Sequence, residues 1–350
     1  MTEHPNQPVR DLTEEELLAR IIPRLPQGPA TVLGPGDDAA VVAAPDGRFV
    51  VTTDVLVEDR HFRRAWSSGC DVGWRAVMQN LADVAAMGAR PTAVVTSLVM
   101  PPDLEVTWVE SLADGMAAAC APHQVGAVGG DLSSGPVVMI SVTAHGDLQG
   151  REPVLRDGAR VGDRVCHAGV LGRSAAGLAA LEAGIVARCH SPSEPGQVTD
   201  DQRHLDAVVR DAVGGYVRPD PPLAAGPAAA AAGVRAMMDL SDGLLRDAGR
   251  MARSSGVQLD LSGDGLRPDV EVLAELAQAC EDDPWRWVLT GGEDHGLLAV
   301  FGPDQELPER FREIGTIAAH EPGRPWVTLD GAAPPVDGAG WDHFAPGAMS

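Results

Sequence analysis

The chain has 350 residues, a formal net charge of −23, 44% hydrophobic residues and 4% aromatics, the profile of an acidic, Ala- and Gly-rich globular protein long enough for two domains. All 27 basic residues are arginines, so mechanisms that need a phosphate-loop lysine, a kinase strand lysine or a Schiff-base lysine are excluded; the acidic balance disfavours a surface that grips nucleic acid by neutralising phosphates. Cys70, Cys120, Cys166, Cys189 and Cys280 form no C-x-x-C pair and Met1 to Arg10 is polar, so the expectation is a reduced, cytoplasmic protein without disulfide framework, zinc site, signal peptide or membrane span.

In chain order, Thr13 and Glu16 stand at capping-box spacing before Leu17, Leu18, Ile21 and Ile22, which predicts a helix from Thr13 that stops at Pro23. Ala39 to Ala44 and Phe49 to Val57 flank the turn residues Pro45, Asp46 and Gly47 and read as a hairpin. Apolar residues at helical spacing over Asp71 to Met87 predict a helix capped at Gly88. Then come a strand over Thr92 to Met100, a helix over Glu105 to Ala121, and strands over Val125 to Asp131 and Val137 to His145. A Gly/Arg/Asp-rich link from Arg151 leads to the apolar Val165 to Val170, a helix over Ala175 to Ala187 and a polar loop over His190 to Asp201. Further helices are expected at Pro227 to Ala232, Ser241 to Ser254 and Asp269 to Cys280, with strands around Val288, Leu297 to Phe301 and Trp326 to Leu329. Mixed elements in both halves indicate an α/β (α+β) protein, divided as a leader and helix over 1–27, a first domain over 28–150 and a second over 151–350.

The acids fall in a pattern. Five segments set Asp beside glycine or small hydroxyl residues: G-P-G-D-D-A-A (34–40), T-T-D (52–54), N-L-A-D (80–83), G-G-D-L-S-S (129–134) and D-L-S-D-G-L (239–244). Any one of them is an ordinary turn or N-cap; the set is not. Asp54 ends a strand between Val51 and Val55, and a carboxylate there is costly unless a positive group meets it. Without lysine, a hard divalent cation is the economical partner, because Mg²⁺ takes oxygen ligands and is held by one or two carboxylates with substrate phosphates. Asn80 and Asp83, three apart on one helix, share a face that can point polar groups at such an ion.

Taken together, G-D-D-A-A (36–40), T-T-D-V-L-V-E-D-R-H-F (52–62), N-L-A-D-V-A-A-M-G-A (80–89), G-G-D (129–131), M-D-L-S-D-G-L (238–244), T-G-G-E-D (290–294) and G-W-D-H-F (340–344) resemble, in order, the motifs of the thiamine-monophosphate kinase family. That family shares a superfamily with aminoimidazole ribonucleotide synthetase and selenophosphate synthetase. The resemblance implies a two-domain aminoimidazole ribonucleotide synthetase-like fold, with the N-terminal domain pairing across a homodimer into a β-barrel and the active site in the cleft between domains. It implies Mg²⁺ ligation by Asp38, Thr52, Thr53, Asp54, Asp83, Asp131, Asp239 and Asp242. ATP contacts fall to Gly130, Asp131, Arg156 and Ser241, and thiamine monophosphate contacts to His61, Glu293 and Trp341.

These implied roles are chemically reasonable. A tryptophan face suits a permanently cationic ring, and a carboxylate on the Gly291-Gly292 turn can accept from an aminopyrimidine. His61 reads equally well as a phosphate donor or as a ring packed beside Phe62, and Arg151 is the alternative to Arg156. The family pattern continues G-G-E-D with Tyr-Glu where this chain has His295 and Gly296, and Ser133 and Ser134 stand where threonines are common. The implied reaction is direct transfer of the ATP γ-phosphoryl group to thiamine monophosphate, with several Mg²⁺ ions, no catalytic base and no phosphoenzyme, since the attacking phosphate oxygen is already ionised. The alternatives are another ATP-dependent enzyme of the superfamily and an inactive metal-binding homodimeric scaffold. Neither nucleic acid nor membrane is an expected partner.

Overall fold

The computed structural model describes residues 7–35, 39–185 and 200–341, and its contacts divide the chain into two units: Met1–Ala85 with Ala89–Glu152, and Ala86–Gly88 with Pro153–Ser350.

The first unit begins with helix α1 (Glu14–Ile21), closed at its start by the reciprocal Thr13 and Glu16 capping box. Strands β1 (Thr31–Leu33) and β2 (Val41–Val42) pair antiparallel with each other. There follow β3 (Val50–Val57), α2 (Gly69–Ala86), β4 (Arg90–Met100), α3 (Val106–Cys120), β5 (Gly126–Ser134) and β6 (Met139–Asp147). The four longer strands form one sheet in the order β3-β6-β4-β5, with only the β4–β5 pair parallel. A parallel pair needs a crossover, and α3 supplies it.

Alternation along β3 sorts its side chains. Thr52, Asp54 and Leu56 pair with Ala144, Val142 and Ile140, and Leu56 with those three partners is buried. Val51, Thr53 and Val55 take the other face, and both valines are exposed. Helices α2 and α3 pack backbone to backbone: a Cβ on Gly73 would lie 2.1 Å from the Leu112 carbonyl oxygen, and one on Gly115 2.0 Å from that of Cys70. Only glycine permits that approach.

The second unit holds β7 (Arg164–Ala168), α4 (Arg173–Glu182), α5 (Asp200–Val217), α6 (Ala225–Ala231), β8 (Ala236–Asp239), α7 (Leu244–Ser255), β9 (Val257–Leu261), α8 (Gly263–Cys280), α9 (Pro284–Thr290), β10 (Leu297–Phe301), β11 (Arg312–Ala319) and β12 (Val327–Leu329). Its six strands run in the order β12-β9-β11-β7-β10-β8. The run Leu297 to Phe301 is buried throughout, because both faces of this sheet are covered. Leu298 and Val300 join the larger core with Val165, Leu259 and Ile314. Leu297, Ala299 and Phe301 join Ala225, Ala229 and Phe311 on the other side.

Four sequence expectations are corrected. The expected hairpin does not form: β3 pairs with β6, and β2 turns back to β1. The turn at 44–47 exists through Gly47 N–H to the Ala44 carbonyl, but the partner of a β-branched strand is set by which face is buried, not by sequence proximity. Val288 lies in α9, started by the Asp283 side chain capping Trp285 N–H and by Pro284 in the first turn. The polar loop is helical from Asp200 onward, while 190–199 lies outside the described residues. Strands β9 and β11 are absent from the sequence expectation: β9 is five residues with polar Gln258 and Asp260 between apolar ones, and β11 mixes Arg312, Glu313, Gly315 and Thr316 among its apolar residues without a regular alternation.

Candidate active site

In the first unit the structure brings Thr52, Asp54, Asn80 and Asp83 together. The Thr52 hydroxyl donates to Asp83 Oδ2 at 2.8 Å. Asn80, fully buried, accepts from the Asp54 backbone N–H at 3.0 Å and donates to the Ala76 carbonyl at 2.9 Å. The i,i+2 spacing on β3 and the i,i+3 spacing on α2 aim these groups at each other. Asn80 therefore fixes the backbone that carries Asp54. The sequence signal was its polar amide on the apolar face of α2, beside Val77, Leu81 and Val84.

Thr53 does not join them. Its hydroxyl donates to the Val142 carbonyl at 3.0 Å and accepts from Thr143 at 3.1 Å on the far face of the strand, so only its backbone stands near Asp54. Asp131 is also on that far face by register, pairing with Ser97, which pairs with Ser141 and so with Val55. Asp131 and Gly130 instead line an apolar cavity of about 750 Å³, together with Leu18, Val42, Val95 and Met116. A Cβ on Gly130 would meet the Thr96 carbonyl oxygen at 2.2 Å. Asp38 lies outside the described residues. His61 accepts the Val57 N–H on Nδ1 at 3.0 Å, which places the proton of the neutral ring on Nε2 and makes that atom a donor.

In the second unit Asp239, Ser241, Asp242, Glu293 and Trp341 converge. Asp239 closes β8 opposite Leu297. The next residues form a loop whose carbonyls take backbone donors from two distant segments: Ser241 from Glu293 N–H at 2.8 Å, Leu240 from His295 N–H at 3.0 Å, and Asp242 from Trp341 N–H at 2.8 Å. Gly340 has φ +134° and no room for a Cβ against the Asp242 carbonyl, so glycine is required to bring Trp341 onto this loop. The Asp242 carboxylate faces Arg250 at 2.7 Å, and Arg250 also holds Asp247 at 2.6 Å. Asp247 is fully buried and accepts from the Asp242 N–H at 2.9 Å. Burial pushes its carboxyl up to about 6, while that hydrogen bond pulls the other way.

Asp294 points away from Glu293 into α4, accepting from the N–H groups of Gly172 and Ser174 at 2.5 and 2.7 Å. Burial raises its pKa to about 7 against these two donors. His295 is buried between acids, with Nδ1 3.5 Å from Asp239 Oδ2 and Nε2 3.3 Å from Glu293 Oε2. Burial opposes a charged ring, but attraction from Asp239 and Glu293 outweighs it and lifts the pKa to about 10. Arg156 is exposed on a segment that lies beside β8. That segment runs antiparallel to β8, with Met237 N–H bonded to the Leu155 carbonyl and Gly158 against Arg235. Sequence reasoning did not find Asp247, Asp294 or the bridging role of His295. The available signal was Asp247 on the buried stripe of α7 among Leu244, Ala248 and Met251.

Among the described residues no three His, Cys, Asp or Glu side chains gather as a metal cage. The candidate donors in the first unit are hard oxygens, with the Thr52 hydroxyl on Asp83 and Asp54 on the same face of β3 as Thr52. That set fits Mg²⁺, which completes its shell with water and substrate phosphate.

The fold and these groups define a class. Residues 36–148 match the family model described as AIR synthase related protein, N-terminal domain, and residues 160–324 the corresponding C-terminal domain. Within that class the sequence is 45% identical to the thiamine-monophosphate kinase of Mycobacterium tuberculosis over 93% of this chain and 89% of the relative. It is 36% identical to that of Aquifex aeolicus over 88% and 92%. The chain belongs to the thiamine-monophosphate kinase family. Among solved structures, AaThiL complexed with AMPPCP and TMP superposes with a TM-score of 0.71 at 32% identity, covering 88% of this chain and 91% of that one. The Stenotrophomonas maltophilia thiamine-monophosphate kinase gives 0.72 at 30%, covering 91% and 96%.

Proposed function

We propose that this protein transfers the γ-phosphoryl group of ATP to the phosphate of thiamine monophosphate, giving thiamine diphosphate and ADP. The observation that carries the reading is the 45% identity to a thiamine-monophosphate kinase across 93% of the chain. The residues supply a chemistry that agrees with it. Two anionic reactants repel, and no lysine is available to offset that repulsion.

Thr52, Asp54 and Asp83 are the residues we assign to Mg²⁺, with Asp38, Asp239, Asp242 and the Thr53 backbone as further oxygens, while Asp131, on the opposite face of the sheet, is assigned to ATP. When bound, the metal screens the phosphates and draws charge from the equatorial oxygens of the group in transit. Asn80 holds the Asp54 backbone in place before any ligand arrives. Gly130, Ser241 and Arg156 are assigned to ATP, and the cavity beside Gly130 and Asp131 has the size and apolar lining suited to a nucleobase. His61 Nε2 donates to the substrate phosphate, Glu293 accepts from the aminopyrimidine and the half-exposed Trp341 ring covers the cationic thiazolium. The acceptor oxygen is ionised near neutral pH, so the residues position rather than abstract protons.

Two copies are read as pairing through the exposed face of β3 and β6, where Val51, Val55 and Met139 are 55%, 43% and 37% exposed. Free thiols at Cys70, Cys120, Cys166 and Cys280 support a reducing, cytoplasmic setting, and no described helix is long and apolar enough to cross a membrane.

The deciding experiment is mass spectrometry of the products after incubation with ATP, Mg²⁺ and thiamine monophosphate. Thiamine diphosphate with ADP is expected. Inorganic phosphate without thiamine diphosphate would identify a synthetase-like reaction instead, and calorimetry showing no Mg²⁺-dependent ATP binding would identify a scaffold.

A further inference from the structure

The loop from Gly291 to Gly296 carries two non-glycine residues in the left-handed region, Glu293 at φ +69° and His295 at φ +53°. Such conformations are held only where surrounding contacts impose them. Here three anchors do so: the backbone N–H groups of Glu293 and His295 bond to the 240–241 carbonyls, and the Asp294 carboxylate is fastened to the start of α4. Pinned in this way, residues 293 and 295 bring their side chains together, and the His295 imidazole meets the Glu293 carboxylate at 3.3 Å while its other nitrogen stands 3.5 Å from Asp239. The histidine side chain is 4% exposed and that of Glu293 34%. The acid thus reaches solvent, while the ring behind it does not.

We infer that His295 is a positioning residue for substrate selection: its Nε2–H orients the Glu293 carboxylate toward the aminopyrimidine, and its contact with Asp239 keeps the ring from swinging away. A carboxylate has only acceptors, so the contact requires the proton on Nε2. The ring touches neither reactant and acts through Glu293. The inference rests on the reading that Glu293 meets thiamine monophosphate.

The test replaces His295 by Leu and by Gln in the full chain. It measures KM for thiamine monophosphate, KM for ATP, half-saturating Mg²⁺ and the thermal midpoint. His295→Leu is expected to raise KM for thiamine monophosphate about tenfold, the worth of one charge-assisted hydrogen bond, with the ATP and Mg²⁺ constants within about twofold. His295→Gln, whose amide can still donate to Glu293, should recover most of the loss. The double variant His295→Leu with Glu293→Gln should be no worse than Glu293→Gln alone, because the two act as one unit. An unchanged KM for thiamine monophosphate in His295→Leu, an equal rise for ATP, a shift confined to Mg²⁺, or additive effects in the double variant would overturn the inference. Should His295→Leu fail to fold, the imidazole ¹⁵N resonances of His295 compared between wild type and Glu293→Gln decide the matter. A clear shift supports the contact, and identical spectra refute it. Glu293→Gln with a normal KM for thiamine monophosphate defeats the underlying reading itself; an impaired Glu293→Gln beside an unimpaired His295→Leu defeats only the role of His295.

Discussion

Asp83 sits on the last turns of a buried helix and yet keeps its carboxylate partly open to solvent, paired with the Thr52 hydroxyl. An acid placed so suits the cation role proposed for it. Asp83→Ala is expected to lower turnover about 100-fold or more, with far-ultraviolet circular dichroism and thermal midpoint near wild type; near-normal turnover would remove the metal assignment. Thr53→Val, whose hydroxyl lies on the far face of β3, is expected to change turnover by no more than about threefold. His167 presents the opposite case. It is fully buried, neither ring nitrogen has a hydrogen-bond partner, and burial, helped by the Arg312 charge, lowers its pKa from 6.5 to about 3. Below pH 6.5 the unfolded chain takes up a proton that the folded chain refuses. Stability is therefore full above that pH and falls on acidification toward pH 3, by up to about 1.4 kcal/mol per unit. Urea unfolding at pH 7 and pH 5 should show this loss in wild type and a smaller one in His167→Leu; equal losses would mean the ring is not held neutral.

Among the elements, the junction between β7 and the start of β10 shows how a local departure in sequence becomes a packing constraint. A Cβ on Gly296 would stand 2.3 Å from His167 Nε2 and 2.9 Å from the Ala168 carbonyl oxygen. The imidazole on one strand fills the space that a side chain at 296 would need. Gly296→Ala should cost about 1–3 kcal/mol by overpacking. Combined with His167→Ala, it should cost less than the sum of the two single changes. Thermal unfolding of the four proteins measures the coupling, and strict additivity would show that the two positions are independent. The same junction anchors the His295 loop, so it bears on both stability and the candidate site.

For the whole molecule, the uncovered face of the first unit's sheet is the surface that matters. One face is buried by α2, and the other leaves Val51 and Val55 exposed beside Met139. Apolar strands with one uncovered face favour association. Light scattering should give a dimer mass for wild type and a monomer mass for Val51→Glu with Val55→Glu; a dimer that survives both charges would place the interface elsewhere. The acidic total charge of −23 makes any such pairing dependent on apolar contact rather than on charge attraction.

The amino-acid order by itself determined the helices with strong periodicity and caps, α1, α2 and α3, because capping and a 3.6-residue repeat are local properties. It also showed acids recurring beside glycine and small hydroxyl residues, which made an oxygen-rich site an expectation. Tertiary structure alone decided that β3 pairs with β6, that Thr53 faces away from Asp54, and that His295 reaches both Asp239 and Glu293. Strand partners and side-chain faces follow from which surface is buried across segments tens of residues apart, and no local pattern records that.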